Sequence, residues 1–180
     1  MLQYKVAPLI KTDRLTIRIV DSNDCYDFFE FCSDPKVCTY LTFNPYKSVT
    51  YTKWILENMQ NAYIHGTDVN FSVVLNANKK VIGSVSLHFF ENENSAELGY
   101  LFNYSYWNNG YCKEAVNALI NVAFDYYGVN CIYASYIVGN NASKTILKKI
   151  GFDECGYQKD KITKNKISFD VVNLKLLKNK

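Results

Sequence analysis

Histidine is nearly absent from this 180-residue chain: His65 and His88 are the two that occur, and no Cys/His cluster accompanies them. A structural or catalytic zinc site is therefore not expected. Six cysteines fall at positions 25, 32, 38, 112, 131 and 155, without a C-x-x-C pair or a regular framework. The chain is also too long to need covalent staples and no secretory leader opens it, so reduced thiols in a cytoplasmic protein are expected. No run of about 18 apolar residues exists, which argues against a membrane span. Charge of one sign is not in excess either. Twenty basic and 17 acidic side chains leave a net charge of +3, too little to argue for a nucleic-acid or membrane partner. Neither G-x-x-x-x-G-K-S/T nor G-x-G-x-x-G occurs, which removes the familiar nucleotide loops. No G-x-S-x-G elbow is present for a serine nucleophile.

What is present is apolar and aromatic: 48% of residues are hydrophobic and 16% are Phe, Trp or Tyr. A chain of this length buries about two-thirds or more of its unfolded surface, enough for a full core. No linker or repeat divides it, so residues 1–180 read as one domain. Leu15-Thr16-Ile17-Arg18-Ile19 alternates as a half-buried strand. Asp21 or Ser22 caps a helix over roughly Asp24 to Cys32, with Phe28, Phe29, Phe31 and Cys32 as its apolar stripe, and Asp34-Pro35 ends it. Cys38 to Tyr51 is irregular, Pro45 excluding a central strand. A second helix runs from about Tyr51 to Ile64 on Trp54, Ile55, Met59, Ala62 and Tyr63, and stops at Gly66.

The pattern then switches to period two. Phe71 to Leu75, Val81 to Phe90 and Ala96 to Phe102 form an antiparallel meander, with polar turns at Asn76 to Lys80 and Glu91 to Asn94. A helix carrying Ala115, Val116, Leu119, Ile120 and Ala123 ends at Gly128. Cys131 to Val138 follows as a strand parallel to the one before that helix, completing a right-handed βαβ unit. A short helix from about Ala142 to Ile150 stops at Gly151. Phe152 to Tyr157 and Ile167 to Leu176 close the chain as a hairpin. The fold class is mixed α/β: a mostly antiparallel sheet of about seven strands, one βαβ unit and about four helices.

The richest stretch is Ala96 to Ala115, AELGYLFNYSYWNNGYCKEA. Its strand breaks into a loop ending Trp107-Asn108-Asn109-Gly110-Tyr111-Cys112, and an amphipathic helix follows at once. Such a junction presents unpaired backbone N–H groups and the positive end of a helix dipole, a ready site for a diphosphate. A second strand-to-helix junction reads Gly139-Asn140-Asn141-Ala142-Ser143-Lys144 and leads to Ile150-Gly151-Phe152. Asn140 or Asn141 serves there equally well as a helix cap. Glu97 opens the strand ahead of the loop, and Ser84, Ser86 and His88 share one face of the preceding strand. An exposed polar face accounts for these side chains as well as a catalytic base does.

The order strand, loop, helix resembles the acyl-CoA-binding core of the GNAT superfamily of N-acetyltransferases. Within it, W-x-x-G-Y-x-x-E-A is most similar to the branch that includes the RimJ and RimL ribosomal-protein acetyltransferases. Thr12-Asp13-Arg14-Leu15-Thr16-Ile17-Arg18 resembles the T-x-R-L-x-L-R opening of the same branch and is read as a marker without chemistry. The resemblance implies a GNAT fold, acetyl-CoA as cosubstrate and no metal. Trp107 stands at the Q/R position of the Q/R-x-x-G-x-G/A loop and Gly110 matches its central glycine. Asn108 and Cys112 replace small residues without removing an N–H donor. The backbone of Asn109, Gly110, Tyr111, Cys112 and Lys113 would hold the diphosphate.

The resemblance also implies a bulge that splays the strand and frees the backbone near Tyr100, Leu101 and Phe102 for the pantetheine arm, one amide acting as oxyanion donor. Asn140 matches the Asn that bonds the arm. The Tyr with which many members protonate the departing thiolate falls on Leu147, so Ser143 becomes the candidate acid. Glu97 stands where related enzymes carry a carboxylate acting through water as base, with His88 as the other candidate. Tyr40, Phe43, Tyr46 and Tyr51 fall where the family places its acceptor-groove wall, and core packing is their ordinary reading. Lys159, Lys161, Lys164, Lys166, Lys175, Lys178 and Lys180 read as a solvated hairpin and tail.

The expected activity is transfer of an acetyl group from acetyl-CoA to a primary amine by direct attack in a ternary complex, without a covalent acyl-enzyme. The acceptor is a small molecule or a protein N-terminus, and the chain a monomer or homodimer. Two rivals stand beside it: a non-catalytic acyl-CoA sensor of the same fold, and an α/β protein that holds a mononucleotide at the helix tip.

Overall fold

Alternation in the middle of the chain dictates a sheet, and the computed structural model, which describes residues 6–90 and 93–178, shows how it is completed. Thirteen elements follow one another: β1 (Ile10–Lys11), β2 (Leu15–Ile19), α1 (Cys25–Cys32), α2 (Pro35–Cys38), α3 (Val49–Ile64), β3 (Asp68–Leu75), β4 (Val81–Phe89), β5 (Ser95–Phe102), α4 (Tyr111–Val122), β6 (Cys131–Ile137), α5 (Asn141–Ile150), β7 (Asp153–Lys164) and β8 (Ile167–Leu177). They build one eight-stranded sheet in the order β1-β2-β3-β4-β5-β6-β8-β7. Every neighbouring pair is antiparallel except β5 and β6.

The count of eight exceeds the expected seven because β1 is two residues long, too short to leave a periodic trace. The additional helix is α2. Asp34 accepts the Lys36 N–H at 2.8 Å and Pro35 occupies the first turn, so the dipeptide that ends α1 also starts α2. Ser48 caps Tyr51 at 3.1 Å and begins α3 two residues earlier than its apolar residues suggest. The stripe of α3 differs too: Thr52 and Leu56 are buried, while Trp54 is 55% exposed. α4 passes into a wider turn over Ala123–Tyr127 that stops at Gly128. Residues 91 and 92 of the expected Glu91 to Asn94 turn lie outside the described residues.

Parity sorts the side chains of the sheet. Leu15, Ile17, Phe71, Val73, Val85, Leu87 and Leu98 face Ala115, Val116, Leu119 and Ile120 of α4 in the larger apolar cluster. Phe28, Phe31, Cys32, Val37 and Leu56, from α1 to α3, form a second cluster with Val74 and Val81. The opposite parity of β3 and β4 is polar, with Asn70 paired to Ser86 and Ser72 paired to Ser84. Buried Asp24 anchors α1 there, taking a two-pronged contact from Arg18 at 2.9 and 2.6 Å and a bond from Ser72 Oγ at 2.6 Å.

The terminal hairpin is longer than its sequence pattern. Its tip lies against the segment after α2: Lys164 Nζ donates to the carbonyls of Cys38 and Leu41 at 2.6 and 3.2 Å, and the Asn44 and Asn165 amides pair at 3.1 and 3.0 Å. Lys164 is thus a structural cation. Lys178 donates to the Phe124 carbonyl and Asp125, whereas Lys159, Lys161, Lys166 and Lys175 are exposed. Lys180 lies outside the described residues.

Candidate functional site

β5 and β6 pair through three residues, Ser95, Ala96 and Glu97 against Cys131, Ile132 and Tyr133. Beyond them the strands part, although β5 stays paired to β4 as far as Phe102 and β6 to β8 as far as Ile137. A cavity of about 450 Å³ opens at this fork. Its lining includes Tyr40, Phe43, His88, Glu97, Tyr100, Leu101, Ser135, Asn140 and Ser143. The expected bulge in β5 is not there, since its register against β4 runs unbroken from Ala96 to Phe102. The divergence comes instead from β6 leaving with β8.

Main-chain direction follows from the alternation of an antiparallel ladder. The Asn103 N–H donates to the Ile82 carbonyl at 2.9 Å and the Phe90 N–H to the Ser95 carbonyl at 3.2 Å. Leu101, Gly99 and Glu97 therefore direct their main-chain groups at β4, and Tyr100 and Phe102 direct theirs at the fork. Leu101 faces the cavity with its side chain only. The Phe102 carbonyl already accepts from Trp107 Nε1 at 2.8 Å and its ring is buried, so Phe102 anchors the loop. Tyr100 keeps both main-chain groups turned to the opening.

The loop that follows is wound by two left-handed residues, Asn108 with φ 61° and Gly110 with φ 81°. Asn109 Nδ2 donates to the Trp107 carbonyl at 2.9 Å. Gly110 is the N-cap of α4 and no side chain caps it. The first intrahelical bond in that turn runs from the Glu114 N–H to the Gly110 carbonyl at 3.1 Å, so the N–H groups of Tyr111, Cys112 and Lys113 lack intrahelical acceptors. They converge with the positive end of the dipole. Cys112 is part-buried, and burial pushes its thiol up to about 12. It is a neutral group at pH 7, unsuited to forming a covalent intermediate.

One contact set was not foreseen. Glu114, in the first turn of α4, accepts from Thr12 Oγ1 at 2.5 Å, from the Arg14 N–H at 3.1 Å and from Arg14 Nε at 2.7 Å. Burial alone would raise this carboxyl, but the bonds from Thr12 and Arg14 outweigh it and hold the group below its ordinary value. The segment read as a marker without chemistry thus braces the loop.

At the other junction, Asn140 Oδ1 accepts the Ser143 N–H at 3.1 Å, so the capping reading holds for Asn140 and leaves its Nδ2 to donate elsewhere. Ser143 Oγ lies 2.8 Å from the Tyr100 hydroxyl. Burial pushes the Tyr100 phenol up, so it stays protonated. Leu147 is fully buried in the core and carries no proton into the site.

Glu97 emerges from β5 on the opposite face to Tyr100, by parity. Its carboxylate accepts from Ser135 Oγ at 3.3 Å, and His88 is its cross-strand partner on β4. His88 Nδ1 is engaged by Asp68 at 2.5 Å. Gly99 keeps this face open: a Cβ there would sit 2.6 Å from Ser86 Oγ. Of the four aromatics, Tyr40 and Phe43 line the cavity, Tyr46 is buried in the second cluster and Tyr51 lies partly exposed on α3. Among the described residues no three His, Cys, Asp or Glu side chains gather as metal ligands, and no helix is long and apolar enough to cross a membrane.

A parallel pair that forks beside an uncapped helix N-terminus is the arrangement the sequence resemblance implies for an acyl-CoA-binding transferase. The comparisons with known proteins fix the class: residues 14–153 match the acetyltransferase (GNAT) domain, and the chain belongs to that family. Its relatives include a ribosomal-type N-acetyltransferase, in line with the RimJ/RimL resemblance of the sequence. It is 28% identical over 168 residues to the uncharacterized N-acetyltransferase p20 of Bacillus licheniformis, covering 93% of this chain and 94% of that protein. It is 26% identical over 171 residues to the putative ribosomal N-acetyltransferase YdaF of Bacillus subtilis, covering 92% of each. RimL, a ribosomal L7/L12 alpha-N-protein acetyltransferase solved in complex with coenzyme A, shares the fold with a TM-score of 0.85 at 18% identity, over 94% of this chain and 98% of that one.

Proposed function

We propose that this chain transfers an acetyl group from acetyl-CoA to a primary amine, by direct attack and in the cytoplasm. The observation that carries the reading is the fork between β5 and β6, with the Tyr100 main chain turned into it, beside the uncapped start of α4. In this reading the N–H groups of Asn109 to Lys113 hold the diphosphate, Trp107 and Asn108 shape their loop, and Asn140 Nδ2 donates to the pantetheine arm. The Tyr100 N–H donates to the thioester oxygen as negative charge gathers there.

The acid and base roles fall on opposite faces of β5. An attacking ammonium must first lose a proton, and Glu97 takes it through water on the face it shares with His88. As the new C–N bond forms and the C–S bond breaks, Ser143 gives its hydroxyl proton to the departing sulfur and is reprotonated through water by the second proton that the acylated nitrogen sheds. With the Tyr100 hydroxyl as donor to Ser143 Oγ, the serine proton is left free for the thiolate. Such acid–base help adds about 10² to 10⁴ to the rate, the larger share coming from orientation and the oxyanion donor.

RimL's name gives it a protein N-terminus to act on, and for this chain an N-terminal peptide or a small primary amine is the proposed acceptor. Free-thiol release from acetyl-CoA with a panel of both kinds of amine tests the reading. Turnover with at least one amine supports it. A second reading, an acyl-CoA sensor, is favoured by the buried Leu147 in place of a proton-giving Tyr, and it requires binding of CoA without turnover by any amine.

A further inference from the structure

Arg14 and Glu114 are 100 residues apart, yet they meet through three bonds or ion-pair contacts. Arg14 Nη2 reaches Glu114 Oε2 at 2.6 Å beside the Nε bond, and the guanidinium carbon lies 4.5 Å from the centre of the Tyr111 ring. A residue that only joined the β1–β2 turn to α4 would need nothing more. Arg14 makes one further bond: Nη1 donates to the Asn109 carbonyl at 3.0 Å.

That carbonyl belongs to the peptide between Asn109 and Gly110. The peptide is planar and trans, so drawing its C=O toward Arg14 turns the Gly110 N–H the other way. Gly110, on its C-terminal side, is left-handed, and so is Asn108 one residue further back, a non-glycine conformation that persists only where surroundings hold it.

We propose that Arg14 is a positioning residue for diphosphate binding, fixing the Asn109–Gly110 peptide so that its N–H joins those of Tyr111, Cys112 and Lys113 in one anion-binding set. The inference rests on the reading of this loop as the diphosphate cradle. Its effect is geometric, because Glu114 already pairs the charge of Arg14. Lysine cannot replace it: a single ammonium does not reproduce the planar fork that grips the carboxylate while a third nitrogen holds the carbonyl.

The test compares wild type, Arg14→Ala and Arg14→Lys in the full chain, measuring Kd for CoA and for pantetheine, which has no diphosphate. CoA affinity should fall about tenfold in both variants, as for loss of one well-aligned donor, with pantetheine affinity unchanged. Should Arg14→Ala fail to fold, Glu114→Gln must show the same selective loss at severalfold. CoA affinity equal to wild type overturns the inference, and so does equal loss for CoA and pantetheine, which marks a merely structural role. Wild type that binds pantetheine but gains nothing from the diphosphate of CoA overturns the cradle itself, a different failure from a variant without effect.

Discussion

Gly110→Ala, set against Gly66→Ala, separates backbone strain from ligand binding. Both glycines are left-handed, with φ of 81° and 75°. An added Cβ meets no backbone at either: Gly66 has nothing within 4 Å, and at Gly110 the nearest atom is the side-chain Arg14 Nη2 at 3.4 Å. The cost at each is therefore conformational, about 1–2 kcal/mol. In a chain of this size each kcal/mol lowers Tm by about 2–4 °C, so both variants should melt about 2–8 °C below wild type. Only Gly110 sits among the proposed diphosphate donors. Relief of strain there rotates a peptide of the set, and one hydrogen bond to a charged group is worth about 1.5–3 kcal/mol, or about 10- to 100-fold in Kd. Calorimetric Kd for CoA with parallel thermal melts reads both quantities. Equal CoA affinity in the two variants, at equal loss of Tm, would refute the reasoning.

Four further outcomes follow from the same geometry. Ser143→Ala should lower kcat about 10²-fold or more with CoA affinity kept, and Tyr100→Phe should lower it less; a kcat within threefold of wild type for Ser143→Ala removes the acid role. Leu147→Tyr should destabilise the fold by about 1–3 kcal/mol in thermal melts and raise no rate, because position 147 is fully buried and not a gap awaiting a phenol. Glu114 is held below its ordinary value of 4.5, so its contribution to stability is complete above that pH and fades as acid protonates the folded carboxylate. The Tm difference between wild type and Glu114→Gln should accordingly be full at pH 7 and shrink steadily below pH 4.5. Iodoacetamide at pH 7, followed by mass spectrometry, should label exposed Cys155 first and leave Cys112 unmodified over the same interval.

Local patterns carried most of the fold. Period two marked β2 to β5, and the spacing of Ala115, Val116, Leu119 and Ile120 placed α4 against the larger apolar cluster. Polar punctuation at Gly128 and Gly151 set the helix ends. What escaped was long-range. Lys164 looked like one of several solvated lysines, because nothing near it announces carbonyls 123 and 126 residues earlier. Arg14 was read as part of a marker without chemistry, and its contacts with Glu114 and Asn109 arise only when α4 folds back onto the β1–β2 turn. The fork between β5 and β6 was inherited from the resemblance rather than read from residues, and its expected cause, a bulge, proved wrong. Tyr100 was singled out for its backbone, and the proximity of its hydroxyl to Ser143 depends on how α5 packs on β5.

The central claim is that the opening amides of α4 grip the diphosphate. Titrating CoA into the 15N-labelled chain tests it most directly, with inorganic pyrophosphate as competitor. The amides of Asn109 to Lys113 should show the largest shifts together with Tyr100, and pyrophosphate should displace the former set while leaving Tyr100 responsive to pantetheine. CoA that saturates the protein with those helix-tip amides unmoved would contradict the account.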